Sequence, residues 1–561
     1  MSIVYYGAME NEELLKNLLI RWEQLKNNRA KFEPDWTEAQ TYADNVVMNW
    51  GTPGDIPKRA KRYTSKPFNY NKTLVAGILG YAVSPSLVWF KLGLEDPKML
   101  KGWGVKDWLE DCEKEMLAMF NRSNFYRETN PAVKDSTCIG HGTLYIDEGE
   151  DFRMRFTHFP ANEIFLDVNA YGEVDTCFRW YADTLRNIVN YFGEDNVCES
   201  MRELYKESAR WNDSYEILMC VYPRENYNAE LKDAKNMPYA CIYVDLKNNY
   251  IIKESGFNEF PFAVFEWERY SGHAYSSSPA QDAMPDIKAL NIIKKSSLQI
   301  AQTSAEPPML ASQEMKNIDL SPRGITYKPT KDSTLEPVRT GDNYPITLQE
   351  LANYEEAVKD WFYVDYFLAL QQKQGNMTAT EVMELQGEKA ATLTTFIVNL
   401  NEFLSNIITR SFRILMRAGR LPPPPTSLLQ QNAIIKIEFT GPLSQNQKKH
   451  HQMGGTVQAL SAIGPIMQMF PAAGDFIDGD ELMRSTMEGM GMPQNIIREE
   501  NDVQKLREAR AQAEAEAQAQ QQQMMMAQTV MQNADKIAQA AQEEAGMNGI
   551  NRQLAGGMNG I

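Results

Sequence analysis

Few residues of this 561-residue chain have the types and spacing that covalent chemistry needs. The five histidines (His141, His158, His273, His450 and His451) make no H-E-x-x-H pair and have no partnered cysteine. His450 and His451 point to different faces of any helix or strand and sit among lysines, which suits a solvated hinge better than a metal site. The acidic group Asp475, Asp478, Asp480 and Glu481 lacks the twelve-residue spacing of a calcium loop. It fits a helix N-terminus, where Asp478 or Asp480 can cap and the carboxylates suit the helix dipole. There is no G-x-x-x-x-G-K-[ST] loop to cradle nucleotide phosphates and no G-x-S-x-G elbow. No catalytic residue, metal site or cofactor is expected, and an enzyme is not. What remains are cations. Lys288 and Lys295 stand seven apart, on one face of a helix. Lys58-Arg59-Ala60-Lys61-Arg62-Tyr63 is the densest basic cluster and reads either as a contact for DNA or an acidic neighbour, or as a solvated loop.

A net charge of −17 argues against tight DNA binding through the general field of the protein, and so against a transcription factor. With 43% hydrophobic and 23% charged residues the chain reads as soluble and globular, and its length calls for several packing units. Six cysteines (112, 138, 177, 198, 220, 241) are too sparse for a disulfide framework, so a reducing interior is expected. The N-terminus lacks the basic-then-apolar build of a signal peptide. The longest uncharged run, 73–90, is interrupted by Gly77, Gly80 and Pro85 and reads as a buried helix entering a strand, with no membrane segment.

The cations must be positioned by helices, and the stretch 278–400 is written as three of them. Ser278-Pro279-Ala280-Gln281, Thr347-Leu348-Gln349-Glu350 and Thr378-Ala379-Thr380-Glu381 are capping boxes. The first helix carries Met284, Ile287, Leu290, Asn291, Leu298 and Ala301 as a narrow seam. Pro285 leaves two readings: a start at Ser278 with a kink, or a start at Asp282 with the proline in the first turn. Eight prolines and glycines from Pro307 to Pro345 forbid a helix between the first and the second. The second has Leu351, Tyr354, Val358, Trp361, Asp365 and Leu368 in heptad spacing and turns back through Gln371-Gln372-Lys373-Gln374-Gly375-Asn376-Met377. The third repeats Leu393, Ile397, Leu400, Leu404, Ile407, Ser411 and Ile414 and stops before Pro422. From the third box to Gly419 it would be about 60 Å long at 1.5 Å per residue.

Elsewhere, residues 9–46 read as two helices and 104–121 as another. Short alternating runs at 143–146, 152–156, 164–166, 174–180, 215–222, 240–245 and 260–267, with a helix near 184–193, give an antiparallel sheet with helices beside it. A strand at 434–439 and helices near 456–470 and 479–489 follow. Residues 495–544, rich in Ala, Gln and Met, suit either a long helix stabilised only by its copies or a disordered polar tail. The chain ends on a repeated Gly-Met-Asn-Gly-Ile, taken as flexible.

The run from Tyr275 through Ser278-Pro279-Ala280-Gln281-Asp282-Ala283-Met284-Pro285 to Asn291, then Pro307-Pro308, then Met377-Thr378-Ala379-Thr380-Glu381-Val382, resembles the portal (head-to-tail connector) family of short-tailed bacteriophages. Ser84-Pro85 before Trp89-Phe90, and Gly172-Glu173-Val174-Asp175 with Arg179, are similar to it too. The resemblance implies an α+β, predominantly helical portal fold. Its divisions would be an N-terminal wing (1–277), first stem helix (278–304), clip (305–346), second stem helix (347–370), channel loop (371–377), long wing helix and return strand (378–455), crown helices (456–494), barrel helix (495–545) and flexible tail (546–561). It implies a homo-oligomeric ring, dodecameric, at the portal vertex of a virion and made in the host cytoplasm. Double-stranded DNA would pass through the ring without sequence specificity, driven by a terminase whose ATPase is a separate protein. Major capsid protein, scaffolding protein and tail adaptors would be further partners. Lys288, Lys295, Gln371, Gln372, Lys373, Gln374 and Asn376 would touch DNA in the channel, and Lys328, Lys331, Arg339 and Tyr344 would form the docking face of the clip. Two other classes stay open: an internal core protein built of the same long helices without a channel, and a nucleic-acid enzyme with an unrecognised carboxylate cluster.

Overall fold

In a computed structural model of the chain, the described residues are 2–55, 57–96, 99, 104–149, 154–228, 230–231, 233–315, 318–319, 326–337, 344–371, 393–429, 435–441, 443, 483 and 500–555. The chain divides into two units, Met1–His451 and Gln452–Ile561.

The first unit opens with α1 (Ser2–Arg29) and α2 (Glu33–Ala43), followed by the antiparallel pair β1 (Val46–Val47) and β2 (Lys58–Arg59). Helix α3 (Lys66–Ala82) starts ahead of the uncharged run, with Pro67 in its first turn, and feeds β3 (Phe90–Leu94). After α4 (Val105–Arg122) comes α5 (Phe125–Ile139), which the sequence pattern does not announce because Pro131 lies inside it. Proline removes one helical hydrogen bond. Burial of Phe125, Ala132, Val133, Cys138 and Ile139 in the main core outweighs that loss.

The expected single sheet is two. A five-stranded antiparallel sheet has the order β10-β9-β8-β7-β6, from β6 (Ile164–Val168), β7 (Val174–Thr184), β8 (Ser214–Pro223), β9 (Tyr239–Asp245) and β10 (Tyr250–Phe257). Helices α6 (Leu185–Phe192) and α7 (Glu199–Tyr205) are inserted between β7 and β8. A three-stranded sheet has the order β11-β4-β5, from β4 (His141–Glu148), β5 (Met154–Phe159) and β11 (Phe262–Glu266). In β8, Ile217, Met219 and Val221 face the main core, while Leu218 and Cys220 face Leu18, Trp22 and Leu25 of α1. With both faces covered, β8 reads as a continuous apolar run instead of an alternating one.

A short pair, β12 (Glu268–Arg269) and β13 (Ser276–Ser277), leads into α8 (Pro279–Asp282) and α9 (Met284–Ala305). The Ser278 hydroxyl accepts the Gln281 N–H at 3.1 Å, so the cap forms, but the expected first stem helix is two helices. The break falls at Ala283, which places Pro285 harmlessly in the first turn of α9. Of its seam, Met284, Ile287 and Leu290 are buried, but Leu298 and Ala301 are exposed. Strands β14 (Met309–Ala311) and β15 (Leu335–Pro337) pair across the excursion that follows. Helix α10 (Tyr344–Trp361) begins three residues before the box at Thr347, so Thr347 lies inside it and is no cap. The heptad does not continue past Trp361. Phe362 and Tyr363 separate α10 from α11 (Val364–Gln371), and Tyr363 takes a left-handed φ of 51°. Helix α12 (Thr394–Arg417) buries every residue of the expected seam from Leu393 to Ile414, Ser411 included. Strand β16 (Ile435–Phe439) returns to pair with β3, Ile437 opposite Leu92.

Of the second unit, the helix Glu500–Ala555 is described, and its described side chains are almost all exposed. It runs through Gly546-Met547-Asn548-Gly549-Ile550, so the first copy of the terminal repeat is helical instead of tail. Each residue added to an existing helix gains a hydrogen bond, which lets a long Ala/Gln/Glu run carry two glycines. The third capping box and the expected helices near 456–470 and 479–489 lie outside the described residues, apart from Met483.

Candidate nucleic-acid interface and docking loop

Lys288, Asn291 and Lys295 share one side of α9, as spacings of three, four and seven require. That side faces its own chain. The Lys288 ammonium lies 2.6 Å from the Glu38 carboxylate of α2, with both side chains partly exposed. Asn291 Oδ1 accepts the Tyr63 N–H at 2.8 Å, and the Lys295 ammonium stands 5.6 Å from the centre of the Tyr63 ring. Lys288 is therefore largely neutralised within the subunit, while Lys295 keeps an exposed charge.

On α10, the Trp361 indole N–H donates to Asp286 of α9 at 3.1 Å, which keeps the ring at the surface, 43% exposed, where the seam put it inside. Lys66 of α3 reaches Glu355 at 3.5 Å. Across the break, Lys359 of α10 hydrogen-bonds Asp365 of α11 at 2.5 Å, and the carboxylate raises the lysine pKa. Phe367 of α11 is fully buried against Gly77 of α3. Gln371 is the last residue of α11; Gln372, Lys373, Gln374 and Asn376 lie outside the described residues.

In the excursion, Lys328 and Lys331 are exposed in one loop between β14 and β15. The loop is held by side chains: Ser312 Oγ accepts the Thr334 N–H at 2.9 Å, and Thr330 Oγ1 donates to Glu314 at 3.1 Å. Tyr344 is the first residue of α10, away from those lysines in sequence, and Arg339 lies outside the described residues.

Sequence reasoning does not find the buried arginines that hold these parts in place. Arg29, 1% exposed, donates to the carbonyls of Asn162 at 2.8 Å and Ile164 at 3.1 Å, pairs with Glu33 at 2.9 Å and lies 3.7 Å over the Phe165 ring. Burial lowers its pKa, with Tyr275 and Glu33 opposing the shift. Arg410 of α12 donates to the carbonyls of Ile146 at 3.1 Å and Glu259 at 2.9 Å, tying that helix to the small sheet. Nothing local distinguishes either arginine from a solvated one; their acceptors are far away in sequence. Among the described residues no group of three or more His, Cys, Asp or Glu could hold a metal ion, and no helix is long and apolar enough to cross a membrane.

This chain, a mixed α/β body with paired helices beside it, belongs by its match to the family model over residues 15–497 to the bacteriophage head-to-tail connecting proteins. Its relatives within that family are portal proteins. It is 30% identical over 516 residues to the "Portal protein" of Salmonella phage epsilon15, covering 90% of this chain and 91% of the relative. It is 26% identical over 512 residues to the "Probable portal protein" of Bordetella phage BPP-1, covering 88% and 91%. Among solved structures, a chain from the "Virion of native gene transfer agent (GTA) particle" aligns over 82% of this chain and 93% of its own at 10% identity. Its TM-score of 0.37 is too low to argue from.

Proposed function

We propose that twelve copies of this chain close into a ring at one capsid vertex, forming the channel through which double-stranded DNA enters during packaging and leaves during ejection. The observation that carries this reading is the family match over 15–497, together with portal-named relatives that cover about nine-tenths of the chain. Contacts between copies are heterologous and close at a fixed rotation. The body built on the two sheets and α12 is the wing, meeting capsid and scaffolding proteins. Helices α9 and α10 are the stem, residues 371–377 the channel loop, and the β14–β15 excursion the clip. The clip receives the packaging terminase first and the tail adaptors later, through Lys328, Lys331, Arg339 and Tyr344. The long exposed helix Glu500–Ala555 fits a barrel of packed copies, which would cover the Met524, Met525, Val530, Met531 and Ile537 side chains that it leaves exposed. An acidic protein suits a passage better than a strongly basic one, since every lysine–phosphate contact must break at each step.

The test is the mass of the purified particle in solution. A closed species of about twelve chains supports the proposal. Open filaments, or a compact particle without a hole in negative stain, would favour the internal core protein instead.

A further inference from the structure

The basic cluster Lys58-Arg59-Ala60-Lys61-Arg62 has no role in the channel reading as it stands, yet the fold treats it as a built element. Its first two residues form β2, paired with β1. The loop between the strands is pinned at several points. Asn162 Nδ2 donates to the Asn49 carbonyl at 3.1 Å, the Trp50 indole donates to Thr37 at 2.9 Å, and Arg29 donates to the Trp50 carbonyl at 3.3 Å. Arg62 is the anchor at the other end: its guanidinium donates to the carbonyls of Thr41, Tyr42 and Asp44 at the C-terminus of α2 and lies 5.2 Å from the Phe68 ring. One residue further, Tyr63 is fastened to Asn291 and Lys295 of α9.

Lys58, Arg59 and Lys61 are left exposed on this base, and none of their side chains has an ion-pair or hydrogen-bond partner among the described residues. Two of the nearby carboxylates are already paired, Asp44 with Lys134 at 2.7 Å and Glu38 with Lys288; Asp55, which accepts from the Asn49 amide at 2.6 Å, keeps its charge and leaves the cluster net positive. Three unneutralised cations in four residues, on a chain of net charge −17, form a local reversal of sign that an external anion would relieve. The side of α9 first assigned to the channel meets Glu38 of α2 and Tyr63 here. The positive charge it presents therefore comes from Lys295 and the hairpin, not from Lys288.

We propose that the β1–β2 hairpin, through Lys58, Arg59 and Lys61 together with Lys295, contacts the phosphate backbone of duplex DNA. This rests on the channel reading above. Exposed heads on a fixed base suit contacts made and broken with a passing polyanion, and they carry no base readout. A permanent acidic protein partner is the competing occupant.

The test uses the assembled full-length particle and a short fluorescent duplex of arbitrary sequence, with binding followed against salt. For K58Q/R59Q/K61Q, the slope of log Kobs against log[salt] should fall by about 0.9 for each phosphate that is no longer neutralised, with the particle unchanged in mass. If the triple variant keeps the full slope while K295Q lowers it, the hairpin assignment is overturned and the channel reading stands. If neither variant moves the slope of a particle that still binds the duplex, the hairpin and Lys295 assignments fall and the channel reading stands on its other residues; a particle that binds no duplex at all would overturn both. If the triple variant no longer assembles while its monomer stays folded, the hairpin is a contact between subunits and the DNA assignment is wrong.

Discussion

Gly77 decides how closely α11 can lie on α3, and replacing it with alanine should reverse the usual sign of a helical Gly→Ala change. At an unobstructed helix position that change stabilises by about 1 kcal/mol. Here a methyl on Gly77 would stand 2.8 Å from Phe367 Cε1, and closer still to Cγ and Cδ1 of the same ring. Phe367 is fully buried and cannot swing aside. Overpacking of this kind costs about 1–3 kcal/mol. Subtracting the propensity gain leaves G77A destabilising by up to about 2 kcal/mol. Phe367→Ala alone should cost about 3–5 kcal/mol, because it empties the space of a buried ring. In that background the obstruction is gone, so G77A should stabilise by about 1 kcal/mol. The assay is a double-mutant cycle in urea, read as midpoints at constant m-value. G77A stabilising equally in both backgrounds would refute the close approach. Because α11 ends at Gln371, its packing on α3 also bears on the residues that follow, the proposed channel loop. G77A should then lower DNA retention without touching the loop.

A half-buried carboxyl and a buried imidazole give stability opposite pH dependences. Burial raises the Glu113 carboxyl from 4.5 to about 7, against the stabilising Leu92 N–H at 2.6 Å. Its contribution is full below pH 4.5 and is lost as pH rises to 7. E113Q keeps an acceptor for Leu92, so it should gain about 1–2 kcal/mol at pH 8 and nothing at pH 4; the full linkage of about 3.4 kcal/mol is reduced because the group is partly exposed. An equal gain at both pH values would contradict this. Fully buried His141, between Trp36 and Tyr275, is lowered by burial from 6.5 to about 4, with Asp135 opposing the shift. Stability should fall by up to about 3.4 kcal/mol as pH drops from 6.5 to 4, and H141F should remove that slope in acid unfolding curves. Replacing Lys373 by Glu and Gly375 by Trp should leave the ring intact but impair retention of packaged DNA; a ring that falls apart would make the loop structural. K328E/K331E should weaken terminase capture by assembled rings in a salt-dependent way and leave their mass unchanged.

Legibility in the sequence followed the distance over which the deciding contacts act. The α12 seam could be read because Leu393, Ile397, Leu400, Leu404, Ile407 and Ile414 meet one core along one face. The cap at Ser278 and the strand at 435–439 could be read for similar local reasons. Pro131 argued against α5 locally, and only its buried neighbours override it. The break at Tyr363 has no proline or glycine to announce it; packing of Phe362 and Phe367 into the core imposes the positive φ. The lysines of α9 were picked out correctly as one face, but what lies on that face was not written there. Glu38 and Tyr63 belong to segments far upstream, so whether a lysine is open or paired is a tertiary fact.

The most direct test of the central claim is a cryo-EM reconstruction of the assembled particle. A closed ring with a central hole is expected, lined by α9 and α10 and by the loop after Gln371, with Lys295, Lys58, Arg59 and Lys61 facing the lumen. A ring whose hole is lined by other elements, with α9 and α10 on its outer surface, would contradict it.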